Sequence, residues 1–325
     1  MRNFVNSLFE KARKNPGRIV YPESSDERIL NAVVEVVKLG IAHPILLGDQ
    51  KQVFKKMGSM GLPTEGIDII DPLKSDKLPK YAQEFYTIRK DHGMTLDQAR
   101  KMIELENYFG TMMVHMGDAD GLIYGALHPT ADTLRPALQI IKTKGHFHKV
   151  SGVFFMIFKD RLMLFADAAV EPDPDAKDLA DVALDTAQTA KKFDIVPKVA
   201  MLSFSTKGSA KHPMVEKVIE ATKIAAYKDP SLLIDGELQL DAAIEPWVAE
   251  IKCPNSKLKG EANILIFPEL NAANIGYKLA TFFGKADAVG PVLQGLNKPV
   301  NDLSRGCTVK DIVEITAVTV IEGQK

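Results

Sequence analysis

The chain has 325 residues, 46% of them apolar and 26% charged, with 41 basic against 42 acidic side chains. This length and polarity fit two soluble globular domains with substantial cores and exclude a disordered or fibrous chain. A net charge near zero, with the bases spread along the chain, argues against nucleic acid or a membrane surface as partner. Two cysteines, Cys253 and Cys307, are too few for a disulfide scaffold and fit a reducing compartment.

The opening MRNFVNSLFEKARKN is polar after three residues, and no stretch approaches the roughly 18 apolar residues of a membrane span. The expectation is a soluble, cytoplasmic protein. Short runs rich in Val, Ile, Leu and Phe predict strands at 18–22, 44–48, 67–71, 121–126, 151–158, 161–167, 198–204, 232–236, 263–267 and 288–293. They alternate with longer amphipathic segments, the pattern of βα units around mostly parallel, buried sheets. Helix starts are signalled at Ser24 with Glu27, Thr95 with Asp97, and Thr308 with Asp311. SGVFFMIF and RLMLFAD, separated by little more than Lys159-Asp160, predict a hairpin and therefore an antiparallel part in one sheet. Ten strands exceed one modest sheet, and a change of domain is expected at 144–149, KGHFHK.

Ligands of open α/β sheets bind beyond the carboxyl ends of the strands, so the polar loops after strands are the candidate sites. In GLIYGALHPTADTLRP, Pro136 predicts a helix starting at Asp132 or Thr133, with Arg135 in its first turn. A cation there opposes the helix dipole and points either to an anionic ligand or to pairing with Asp132. His128 by itself reads as a structural hydrogen-bonder. SFSTKGSAKHP offers hydroxyls and lysines to a phosphate without P-loop spacing, and by itself reads as a solvated loop. NAANIGYKLATFFG suits either a nucleotide contact or an ordinary amphipathic helix. In NDLSRGCTVKDIVEI, Pro299 and Asn301 end a connection and Ser304-Arg305-Gly306 turn tightly. There Arg305 could hold an anion, while Thr308 and Asp311 have the spacing of a capping box. Arg89, in FYTIRKDHG, ends an amphipathic helix where a cation suits the dipole.

Taken together, RIVYPESSDERILNAV, NYFGTMMVHMGDADGLIYGALHPTADTLRPALQIIKTK, FADAAV, FDIVPKVAMLSFSTKGSAK, DGELQLDAA, NILIFPEL, NIGYKL and VGPVLQGLNKPVNDLSRGC resemble the phosphate acetyltransferase family over nearly the whole chain. The resemblance implies two three-layer α/β domains with a cleft between them, a fold shared with isocitrate and isopropylmalate dehydrogenases. Residues 1–145 with 294–325 would form the first domain and 146–293 the second. It implies a homodimer that transfers acetyl groups between coenzyme A and inorganic phosphate, with acetyl-CoA and acetyl phosphate as substrates and no metal or permanently bound cofactor. Carried over residue by residue, the family's anion-binding arginines fall on Arg89, Arg135 and Arg305, the hydroxyl beside the reacting centre on Ser304, and the base on Asp311. His128, Thr130, Ser205 and Lys207 would add phosphate or substrate contacts, and Asn274, Tyr277 and Lys278 contacts to the coenzyme. The chain departs from the usual residue at Tyr124, Pro129, Ala168 and Phe282.

The implied mechanism is direct attack of the coenzyme thiol on acetyl phosphate in a ternary complex, with Cys307 as a competing covalent nucleophile beside a helix start. The rivals are transfer of propionyl or butyryl groups, a non-catalytic acetyl-CoA sensor, and a metal-dependent dehydrogenase using Asp235, Glu237 and Asp241. Those three acids otherwise read as caps of the following helix or as groups that order the cleft.

Overall fold

In the computed structural model, which describes residues 2–145 and 149–324, the strands form two separate sheets. The chain divides into one unit of Arg2–Lys144 with Leu296–Lys325 and another of Gly145–Gly295. Part of the segment at which the sequence suggested a division, 146–148, lies outside the described residues.

The first unit contains α1 (Arg2–Lys14), β1 (Gly17–Tyr21), α2 (Glu27–Leu39), β2 (Ala42–Leu47), α3 (Gln50–Ser59), β3 (Asp68–Ile70), α4 (Leu78–Arg89), α5 (Leu96–Ile103), α6 (Glu106–Met116), β4 (Gly121–Tyr124) and α7 (Thr130–Pro136). The second contributes β5 (Ser151–Ile157), β6 (Leu162–Ala166), α8 (Ala176–Lys192), β7 (Lys198–Leu202), α9 (Pro213–Lys228), β8 (Leu233–Leu238), α10 (Leu240–Ile244), α11 (Pro246–Lys252), β9 (Ile264–Ile266), α12 (Leu270–Phe282) and β10 (Asp287–Gln294). The chain then returns to the first unit with β11 (Val300–Asp302) and α13 (Val309–Gly323).

In the first unit the order is β11-β4-β1-β2-β3, every pair parallel. Alternation along β1 assigns the two faces. Ile19 and Tyr21 point toward α13, where the Tyr21 hydroxyl lies 2.7 Å from Thr316 Oγ1. Val20 points toward α6, which approaches the sheet closely because a Cβ on Gly110 would strike Leu122 and Val20. The α13 face is covered by α1, α2 and α13. Residues 312–321 of α13 are buried throughout, which explains why this helix is apolar almost all round rather than amphipathic.

The second unit's order is β10-β5-β6-β9-β7-β8. The predicted hairpin is present as the antiparallel pair β5 and β6, β10 pairs antiparallel with β5, and the remaining pairs are parallel. One face packs Phe154, Phe165, Leu202 and Leu265 against Ala243, Val248 and Ala273 of α10–α12, and the other packs on α8 and α9. No described helix is long and apolar enough to cross a membrane.

The structure corrects four local readings. The helix after β1 is capped by Asp26, whose carboxylate accepts the Arg28 N–H, not by Ser24, whose hydroxyl donates to the Leu47 carbonyl. The capping box at Thr95 closes with Gln98 rather than Asp97. Asn301 lies inside β11, a buried three-residue strand too short to show a period in sequence. Finally, α7 starts at Thr130, so Pro136 ends it and Arg135 stands in its last turn, where the dipole favours a cation. Proline tolerates that place because the Asp132 carbonyl, deprived of its intrahelical donor, accepts instead from Asn107 Nδ2 at 2.9 Å. The chain continues as one π-helical turn over Ala137–Ile141.

Candidate active site

The parallel sheet changes direction between β4 and β1, because β2 and β3 extend it on one side of β1 and β4 with β11 on the other. At such a switch point the loops leaving the two strands diverge and open a crevice at their carboxyl ends. A buried carboxylate and a part-buried guanidinium organise it. Glu23, just past β1, is 3% exposed and accepts the backbone N–H groups of Gly125, Ala126 and Leu127 at 2.9, 2.7 and 2.8 Å, and its other contact is His128 Nδ1 at 2.8 Å. Arg28, in the first turn of α2, pairs with Asp26 and donates to the carbonyls of Ala126, Arg305 and Cys307 at 2.8 to 2.9 Å. The loops after β1, β4 and β11 are thereby fastened together by one carboxylate and one guanidinium.

Most of the residues expected to act lie on these loops. Ser304 Oγ accepts from the Gly306 N–H at 3.2 Å within an exposed turn, closed by the Cys307 N–H on the Ser304 carbonyl. Thr308 caps α13 in the expected box, in which Asp311 Oδ2 accepts the Thr308 N–H at 2.8 Å. Thr130 and Thr133 donate to the two oxygens of Asp302. His128 stacks on Tyr124, with ring centroids 5.1 Å apart and planes 13° from parallel.

Arg135, Arg305 and Arg89 make no ion pair among the described residues, so the pairing of Arg135 with Asp132 does not form. Arg89 Nε is buried with no hydrogen-bond partner, which a native interior seldom leaves unexplained. Arg89 and Arg135 both act electrostatically on the phenol of Tyr108, in the first turn of α6. That turn lies at the carboxyl-end side of the sheet, since Glu106 approaches Gly48 just beyond β2. Nothing in the contacts links Arg305 directly to the other two.

In the second unit, the donors of SFSTKGSAKHP meet carboxylates of the same unit. Ser205 is fully buried and donates to Glu237 at 3.0 Å, Gly208 N–H does so at 2.7 Å, and Lys207 pairs with Asp235. Asp241 pairs with Lys252, and α10 follows Gln239 without a side-chain cap, so Asp235 and Glu237 order the 205–208 loop rather than cap that helix. Asn274, Tyr277 and Lys278 lie on α12, where Tyr277 stacks on Phe154 and the Lys278 ammonium sits 5.7 Å from the Tyr277 ring centre.

Residues 3–320 match the family model described as phosphate acetyl/butaryl transferase. The chain belongs to that family. It is 50% identical over 329 residues to the phosphate acetyltransferase of Thermoanaerobacterium thermosaccharolyticum, covering 99% of this chain and 100% of that one. It is also 50% identical over 321 residues to the phosphate acetyltransferase of Nitratidesulfovibrio vulgaris, of which it spans 46%, about half the length. Among solved structures, a phosphotransacetylase from Streptococcus pyogenes superposes with a TM-score of 0.95 at 47% identity, covering 99% of this chain and 98% of that one.

Three residues of this family member escape sequence reasoning, namely Glu23, Arg28 and Asp302. Each is a charged residue that also takes partners about a hundred or more positions away. The one available signal was the cluster of acids in PESSDER directly after a strand. Burial pushes the Cys307 thiol up to about 11 even though the nearby Arg28 opposes this, which disfavours the thiolate that a covalent nucleophile needs.

Burial pushes the Asp302 carboxyl up to about 6 from its ordinary 3.8, against the hydrogen bonds from Thr130 and Thr133. The unfolded carboxyl therefore releases its proton first, and between about pH 4 and 6 the folded state holds more protons, so stability falls as pH rises. Through this group the protein should lose about 2 kcal/mol between pH 4 and 7. Asp302→Asn should remove that slope, measured as the difference in urea unfolding free energy between the two pH values. An unchanged slope would refute the assignment.

Proposed function

We propose that the chain is a phosphate acetyltransferase, moving an acetyl group reversibly between coenzyme A and inorganic phosphate. The observation that carries this reading is a set of three arginines, Arg89, Arg135 and Arg305, in one unit without carboxylate partners. A guanidinium presents a planar fork of donors that matches phosphate, and an unpaired one has its donors available.

In this reading Arg305 and Arg135 hold the phosphate, Arg89 adds positive charge, and Ser304 donates to the oxyanion that develops as sulfur attacks the carbonyl. Asp311 accepts the thiol proton. A thiol of pKa about 8.5 is only a few per cent ionised at pH 7, a deficit of roughly 2 kcal/mol. A positioned base supplies about 10²- to 10⁴-fold, and each oxyanion donor about 3 kcal/mol. Thr130 and His128 complete the phosphate side within the same unit.

The test is phosphate-dependent release of free thiol from acetyl-, propionyl- and butyryl-CoA. Acetyl-CoA should turn over fastest, with intersecting double-reciprocal plots, as a ternary complex requires. Absence of phosphate-dependent release would refute the reading, and parallel plots would refute the direct transfer. The same reading makes the molecule a cytoplasmic homodimer. The exposed Ile275, Leu279, Phe282 and Phe283, on and just after α12, support the second subunit, which light scattering would check.

A further inference from the structure

His128 and Glu23 form a pair whose geometry exceeds what loop structure needs. The Glu23 side chain is 2% exposed and that of His128 48%, so a buried carboxylate holds Nδ1 while the other edge of the ring faces outward. Stacking on Tyr124 fixes the ring plane, and Nε2 has no partner among the described residues. A carboxylate that fixes an imidazole's orientation and tautomer in this way leaves the free nitrogen ready to exchange a proton. The ring touches Glu23 and Tyr124, and the carboxyl of Glu106, which burial pushes upward, lies close enough to feel its charge.

We propose that His128, positioned by Glu23, is the proton donor to the departing phosphate, and the acceptor when phosphate attacks. This rests on the function proposed above and adds a group that the chemistry requires. In the direction of acetyl-CoA formation, the coenzyme sulfur bonds to the acetyl carbon and its proton passes to Asp311. The bond from that carbon to the phosphate oxygen breaks, and its electron pair stays on oxygen. Without a proton this oxygen leaves as phosphate trianion. With the proton from His128 Nε2 it leaves as hydrogen phosphate, after which His128 regains a proton from water and Asp311 releases one. Asp311 thus serves the sulfur and His128 the phosphate. Their loops, after β11 and after β4, are held together by Arg28, which bonds both the Ala126 and the Arg305 carbonyl.

The test is steady-state kinetics of full-length His128→Gln and His128→Ala with acetyl-CoA and phosphate, and in reverse with coenzyme A and acetyl phosphate. His128→Gln should lower kcat about 10²-fold or more in both directions, with a much smaller change in the KM for phosphate. Added imidazole should restore part of the His128→Ala turnover. Glu23→Gln should lower kcat about tenfold or more at unchanged KM. The thermal transition identifies any variant that does not fold, and His128→Asn then takes its place. Turnover of the His128 variants within about threefold of wild type, absence of imidazole rescue in a folded His128→Ala, or a higher KM for phosphate at unchanged kcat would each overturn the assignment. A wild-type protein with no phosphate-dependent turnover would overturn the proposed function itself, and this inference with it.

Discussion

Asp311→Asn should lower turnover about 10²- to 10⁴-fold while the thermal transition stays in place. The geometry makes this substitution unusually clean. Asp311 is the third residue of α13, and its Oδ2 accepts the Thr308 N–H at 2.8 Å while its own N–H bonds Thr308 Oγ1 at 3.2 Å. An asparagine carbonyl can accept the same Thr308 N–H, so the capping box survives and only the negative charge and basicity are lost. Because the side chain is partly exposed, no buried charge is stranded by the change. Two readings of one residue therefore give opposite outcomes. If Asp311 only caps the helix, Asp311→Asn keeps normal turnover, and Asp311→Ala costs about 1 kcal/mol of stability with little effect on rate. Circular dichroism melts beside a thiol-release assay would separate them.

Glu23→Ala should destabilise the first unit by about 2–6 kcal/mol, a large effect for a residue outside the apolar core. Removing the carboxylate leaves the backbone N–H groups of Gly125, Ala126 and Leu127 without an acceptor, two of them on buried residues. Each buried donor left unsatisfied costs about 1–3 kcal/mol. For a unit of this size the change corresponds to a fall of roughly 5–20 °C in Tm. Glu23→Gln should be milder, because one amide oxygen can still accept. Gly125 itself is hard to rearrange, since its φ is +109° and an added Cβ would come within 2.5 Å of Asp302 Oδ1. A loss below about 1 kcal/mol for Glu23→Ala would mean that the 125–128 loop holds its shape without this anchor.

The second unit repeats the device. Asp167, directly after β6, is 3% exposed and accepts the N–H groups of Gly152, Ala169, Val170 and Glu171. In both units an acid just past a strand end gathers backbone donors that no ladder or helix can satisfy. The same reasoning applies to Glu237, which takes Ser205 and the Gly208 N–H. Asp235 and Glu237, read in sequence as possible metal ligands or as caps of the following helix, lie within β8 and fix the 205–208 loop.

What sequence made legible follows from the range of each interaction. The β5–β6 hairpin, the Thr308–Asp311 box and the end of α4 at Arg89 depend on residues a few positions apart, and period, turn chemistry and capping spacing reveal them. The start of α7 was misplaced because Pro136 reads locally as an early-turn residue. Only the distant Asn107 side chain, which takes the freed Asp132 carbonyl, makes a later position tolerable. The strand β11 has three residues, too few for alternation to show, and its identity comes from pairing with β4.

For the site, the arrangement of Arg305, Ser304 and Asp311 in one short stretch was readable, since a turn followed by a capped helix needs no other part of the chain. Family resemblance supplied the role of Arg89, which its place at a helix end explains without any ligand, while the local reading of Arg135 rested on a helix start that the structure moves. The roles of Glu23, Arg28 and Asp302 were decided by tertiary structure alone. A buried charge takes its meaning from whichever donors or acceptors the fold brings to it, here from 98 to 279 positions away for Arg28 and Glu23, and sequence order carries no record of that distance.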